Sequence, residues 1–185
     1  MSWLGDFIGS AADRESSVKD EEELEQNLDI IAVWLSDSKT NAIRKQDSAA
    51  NKLLDLIVSR RNTIVARMRI LKHAIIVYEQ DSYNSVVSTK GSDGKLKATK
   101  TSIPGKPPAA INNVYNSFHS IDAFVDTLER DADTLYDLLS HGKETKKFEP
   151  HLALLVEAVK LFHNKFVVVE RKVDKIIKDA VSKKK

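Results

Sequence analysis

Residues 40–88 read TNAIRKQDSAANKLLDLIVSRRNTIVARMRILKHAIIVYEQDSYNSVVS. Within them Ile43, Ala50, Ile57, Ile64, Leu71 and Tyr78 recur at every seventh position, and Leu54, Met68 and Ile75 fall four places after three of them. Apolar residues at this spacing form the a/d seam of a helix that packs against other helices. The stretch lies inside a longer run, Ser10 to Lys90, that holds neither glycine nor proline. At about 1.5 Å per residue a helix from Thr40 to Ser88 would be about 70 Å long. The remaining chain is expected to organise around it.

Outward from this seam the same period returns. Leu24, Leu28, Ile31 and Leu35 form a stripe, thickened by Ile30, Val33 and Trp34. Ser17 and Asp20 have the spacing of a capping box at its start. Ser36, Asp37, Ser38 and Thr40 compete for local backbone hydrogen bonds, and the heptad phase slips there, which predicts a break before the central helix. Beyond residue 107, Pro108 suits a first helical turn. Ile111, Val114, Phe118, Ile121, Val125, Leu128, Ala132, Leu135 and Leu139 then step by three and four throughout. Leu152, Leu155, Val159, Phe162, Phe166, Val169, Val173, Ile176 and Ala180 repeat the pattern after a short connector containing Gly142, a candidate helix C-cap. A connector this short predicts an antiparallel pair.

The expected fold is all-α: an elongated antiparallel helical bundle or coiled coil with one very long central helix and a short amphipathic N-terminal helix. Helices are expected near 17–36, 40–88, 108–141 and 151–182. Residues 1–15 form a separable amphipathic segment and 16–185 the bundle domain. A flexible Lys/Gly/Pro loop is expected over 89–107, with Gly91-Ser92-Asp93-Gly94 as a turn signal.

Composition narrows the function classes. The 185 residues are 42% hydrophobic, enough for a core, and 30% charged with 6% aromatic, a balance suited to solvated helices. Cysteine is absent, which excludes disulfides and thiolate metal sites. No apolar run approaches the ~20 residues of a membrane span, and no signal-peptide pattern opens the chain, so a cytoplasmic protein, peripheral on a membrane or held in a larger assembly, is expected. The net charge of +2 conceals alternation: −7 over residues 1–40, +8 over 41–110, −4 over 111–150 and +5 over 151–185. Neighbouring helices can complement one another, and Arg61, on a d position, is expected to pair with an acid of an adjacent helix.

Enzymatic signatures are missing from the sequence. There is no HExxH, no Glu-x-x-His pair, no phosphate-binding glycine loop and no GxSxG. His73, His119, His141, His151 and His163 all miss the a and d positions, so solvated histidines are expected, and no carboxylate sits on an apolar face that would tune it. No catalytic residue, cofactor, metal or small-molecule substrate is predicted.

Two non-enzymatic readings remain. Trp3, Leu4, Phe7 and Ile8 line one stripe of a glycine-interrupted N-terminal helix that folds only on an apolar surface: the chain's own bundle, a partner's groove or a membrane interface. As a scaffold or adaptor, the protein docks this face on a partner and self-associates through an open seam of Ile57, Ile64, Met68, Leu71, Ile75 and Tyr78. As a peripheral membrane scaffold, it inserts the face into lipid while Lys90, Lys95, Lys97, Lys100, Lys106, Lys183, Lys184 and Lys185 contact an anionic surface. In outline the chain resembles BAR-type and other membrane-scaffolding coiled coils, an architectural resemblance carried by no motif. Nucleic-acid binding through Arg60, Arg61, Arg67 and Arg69 with the lysine-rich loop is the weakest reading, because no aromatic residue interleaves those lysines for base stacking.

Overall fold

The computed structural model describes Leu4 and residues 11–83, 86–90, 96–100 and 108–182. The fold is an all-α helical bundle. Helix α1 spans Ala11–Ser36, α2 Ser38–Gln46, α3 Ser48–Tyr83, α4 Pro108–Ser140 and α5 Glu149–Ser182. A 3₁₀ turn, Lys146–Phe148, precedes α5.

Helices α3, α4 and α5 pack in sequence, and α1 closes the ring against α5 and α3. Cross-helix partners give the directions. Arg60 meets Asp131, and the Arg67 guanidinium lies 4.8 Å from the Phe124 ring centroid, so α3 and α4 run antiparallel. His119 meets Asp174 while Tyr136 meets Glu149, so α4 and α5 do the same. Asp20 meets Lys172 and Trp34 meets His151, which sets α1 antiparallel to α5.

The periodic residues make the core. Val114, Phe118, Ile121, Val125, Leu128, Ala132, Leu135 and Leu139 of α4 are all buried, as are Leu152, Leu155, Val159, Phe162, Phe166, Val169 and Val173 of α5. Phe118 and Phe166 stack with centroids 4.9 Å apart across α4 and α5, an arrangement that adds about 0.5–1.5 kcal/mol beyond area burial. Leu24, Leu28, Ile31 and Trp34 supply the face of α1.

The chain breaks at Asp37, where the predicted break falls. Its carboxylate accepts the Lys39 backbone N–H at 2.7 Å and caps α2. A second break, at Asp47, divides the expected 40–88 helix. Asp47 is extended, at φ −139° and ψ 118°, and its carboxylate accepts from Ala49 and Ala50 N–H at 2.8 and 2.9 Å. Helix α3 therefore has 36 residues, about 54 Å, against the 33 of α4. With partners so nearly matched in length, the seam expected to lie open on the central helix is covered within the bundle.

Three further expectations are corrected. Helix α1 begins at Ala11, so Ser17 and Asp20 lie inside it, both buried, and Asp20 pairs with Lys165 at 3.2 Å and with Lys172 instead of capping. The proposed boundary at residue 15 consequently falls within a helix. In place of the flexible loop expected over 89–107, strands β1 (Val86–Lys90) and β2 (Leu96–Lys100), the first entering that segment and the second inside it, pair antiparallel, Val86 opposite Lys100 and Lys90 opposite Leu96. Valine and threonine favour this pleated backbone, and the Gly91–Gly94 turn signal lies between the strands. Gly142 is not in the left-handed conformation of a C-cap. A Cβ there would run into Thr145 Oγ1, whose hydroxyl donates to the Leu139 carbonyl at 2.8 Å.

Candidate functional site

The bundle carries two features that its packing does not require: an apolar groove and a histidine–carboxylate cluster. The groove lies between α1 and α5 and encloses about 450 Å³. Ile30 and Val33, three apart on α1, form one wall, and Leu154 and Leu161, seven apart on α5, form the other. Their exposures of 46%, 71%, 59% and 51% set them apart from the buried seam residues beside them. Trp34 and Ala158 form part of the lining. The Trp34 indole N–H donates to the His151 carbonyl at 2.6 Å, and its ring stacks on the His151 imidazole at 4.7 Å.

Asn27, Asp37, His151 and Glu157 complete the lining, which contains no lysine or arginine. Along the outer face of α1 the same surface continues past Glu22, Glu25 and Asp29, again without a basic residue in its lining. Burial is the main influence on His151 and lowers its pKa below the usual histidine value. Asp37 opposes that effect and Lys39 adds to it. The groove therefore combines apolar walls with an acidic rim.

The cluster lies across α4 and α5, toward the end of that pair away from the 141–148 connector. His119 and Asp122 stand three apart on α4, and Glu170 and Asp174 four apart on α5, so each pair shares a helix face. His119 Nδ1 is 3.0 Å from Asp122 Oδ2 and 3.1 Å from Glu170 Oε1, while Nε2 is 3.2 Å from Asp174 Oδ1. Tyr115 lies against the imidazole at a centroid distance of 4.1 Å. Among the described residues no lysine or arginine pairs with any of the four.

Burial and a hydrogen bond that the protonated Glu170 donates to Asp122 push the Glu170 carboxyl up to about 7, with nearby His119 pulling the other way. Burial lowers the His119 pKa, but its bonds to Asp122 and Asp174 and their negative charge outweigh that effect and raise it. Three carboxylates share one imidazole, and Glu170 among them holds a proton that an exposed glutamate would release.

The expected site residues fall in different places. Of the three surfaces open to the N-terminal stripe, Leu4 lies on this chain's own bundle: it is buried in the core, with its backbone N–H 3.3 Å from the Glu21 carboxylate. Trp3, Phe7 and Ile8 lie outside the described residues. The proposed oligomer seam is internal: Ile57, Ile64, Met68, Leu71 and Ile75 are buried in the bundle core, and Tyr78 packs against it. Lys90, Lys97 and Lys100 stand on the two strands, while Lys95, Lys106, Lys183, Lys184 and Lys185 lie outside the described residues.

His73 and His141 are exposed as expected. His119, His151 and His163 are partly buried and paired, and the half-buried Glu170 corrects the expectation that no carboxylate is tuned by its surroundings. A heptad index taken one helix at a time places these groups off the seam. Folding α4 onto α5 about Thr145 would have revealed the cluster, because it sets position 119 near 170 and 174. Arg61 pairs with Asp29 at 3.8 Å, and its Nε–H also donates to the Leu28 carbonyl at 3.0 Å. No helix among the described residues is long and apolar enough to cross a membrane. Compared with known proteins, the chain matches no family model, no curated protein and no solved structure.

Proposed function

We propose that the protein is a non-enzymatic adaptor or assembly module whose α1/α5 groove receives a basic amphipathic helix from a protein partner. The observation that carries this reading is the placement of Ile30, Val33, Leu154 and Leu161 in solvent around one groove whose lining lacks basic residues. Two antiparallel helices with apolar residues on facing ridges offer a third helix the environment of a bundle interior, read through anchors spaced about three, four and seven apart. The acidic rim selects the sign of the visitor's polar face. This reading moves the docking surface from the N-terminal stripe, whose described member Leu4 is in the core, to the groove.

Trp34 provides the test. In a Trp3→Phe variant it is the single tryptophan, and its emission reports on the groove. The titrant is a synthetic amphipathic helix with leucine at a and d positions and lysine elsewhere, with a glutamate-substituted version as control. Saturable change is expected with the lysine peptide, with at least about tenfold weaker response to the glutamate peptide and to Val33→Lys or Leu161→Lys proteins. Equal responses to the two peptides, or none to either, would sink the adaptor reading. Self-association in sedimentation that disappears in Leu161→Lys would instead assign the groove to a second copy. Vesicle binding lost in the same variant would assign it to lipid.

A further inference from the structure

We propose that His119, Asp122 and Glu170 form a binding site for a first-row divalent cation, Zn²⁺ or Mn²⁺ by donor chemistry, with Asp174 orienting the imidazole. The donor atoms are already gathered: one nitrogen and two carboxylate oxygens lie within 4.8 Å of one another. Ligands about 2.0–2.2 Å from a metal stand about 2.8–3.6 Å apart, the shorter end at adjacent octahedral positions and the longer at tetrahedral angles. The separations of 3.0 and 3.1 Å from Nδ1 to Asp122 and Glu170 fall within that range. Small rotations of the two carboxylates complete the third edge, and water fills the remaining position or positions.

Asp174 supplies an independent observation. Metal-bound histidines commonly donate their second ring N–H to a carboxylate, which fixes the tautomer and turns the first nitrogen's lone pair toward the metal. His119 Nε2 lies 3.2 Å from Asp174 Oδ1. With that nitrogen carrying the hydrogen, the Nδ1 lone pair is directed at the space bounded by the Asp122 and Glu170 oxygens. Among the described residues no lysine or arginine pairs with the cluster. All three ligands project from two packed helices, so their spacing is set by the bundle. A mixed set of imidazole and carboxylate suits Zn²⁺ and Mn²⁺ better than Mg²⁺, which demands oxygen ligands and retains its waters.

The experiment is isothermal titration of the EDTA-treated full chain with ZnCl₂, MnCl₂ and, for comparison, MgCl₂. One-to-one binding of Zn²⁺ or Mn²⁺ is expected, with Mg²⁺ at least about tenfold weaker. Glu170→Gln and Asp122→Asn should each weaken binding at least about tenfold, and Asp174→Asn by about 10–100-fold through loss of orientation. His163→Gln, which alters the neighbouring contact to Asp126 at 3.5 Å, should leave it unchanged. Circular dichroism confirms that each variant remains helical. Thermal melting gives a second readout, since Zn²⁺ should raise the midpoint of the native chain and not of Glu170→Gln. Absence of Zn²⁺ and Mn²⁺ binding, or binding that Glu170→Gln and Asp122→Asn leave intact, would overturn the proposal.

Discussion

Thr40 and His151 show how one buried contact sets a pH response. Thr40 is fully buried and donates its hydroxyl to the Trp34 carbonyl at 2.7 Å, with His151 Nε2 3.1 Å from the same oxygen. Burial favours neutral His151, so its folded pKa lies below the ordinary value. The unfolded chain then binds the proton more readily. This contribution to stability is complete above the unfolded value of about 6.5 and is lost as pH falls from there through the lower folded value. Urea midpoints at pH 7.5 and 5.5 should therefore lie closer together in His151→Gln than in the native chain. Equal pH dependence in the two proteins would refute the assignment. The contact was hidden in the sequence because it joins residues 111 positions apart. Indexed on its own helix, His151 misses the seam, and only its pairing with α1 shows that it is enclosed.

At the scale of elements, repeated spacing made α4 and α5 legible. Steps of three and four persist through each, and the structure buries those positions almost without exception. The break at Asp37 was legible too, because local hydrogen-bonding residues and a phase slip coincide. The break at Asp47 was not: Ile43 and Ala50 stay seven apart on either side of it, and both are buried. Apolar spacing thus carries through a point where the backbone leaves the helix. The signal was Asp47 followed by Ser48 and two alanines, an N-cap before good helix formers. Asp47→Ala removes the acceptor for Ala49 and Ala50 N–H and should cost about 1 kcal/mol, read as a lower urea midpoint with an unchanged slope. A midpoint that does not move would show that the cap carries no energy. The hairpin was masked by composition, since five lysines, three glycines and three prolines within 88–110 suggest a loop, while Val86, Val87 and Thr89 favour a strand.

Across the whole molecule, charge alternation becomes cross-helix pairing. The acidic first helix meets basic groups of two others: Glu25 pairs with Lys72, Asp29 with Arg61, Glu23 with Lys165, and Asp20 with Lys165 and Lys172. The more exposed of these pairs, such as Glu25 with Lys72, each contribute about 0.2–1 kcal/mol and are screened by salt. Raising NaCl from 0.05 to 0.5 M should lower the urea midpoint, and a Lys72→Gln, Arg61→Gln variant should lose part of that dependence. Identical salt responses would mean that these pairs do not hold α1 in place. The charge blocks announced complementarity, but the groove and the metal-ligand cluster needed three-dimensional register, because each is assembled from two helices.

The closing contacts of the ring also impose an order in time. Trp34 and His151 are 117 residues apart, and Asp20 and Lys172 are 152 apart. Helix α1 is synthesised well before its main packing partner, α5. At about 5–20 residues per second, a ribosome takes on the order of ten seconds to pass from the end of α1 to the start of α5. For that interval Leu24, Leu28 and Ile31 lack the surface that eventually covers them. The nascent chain thus emerges with the apolar face of α1 exposed, a natural substrate for a chaperone at the tunnel exit, and closes its ring only after α5 has followed.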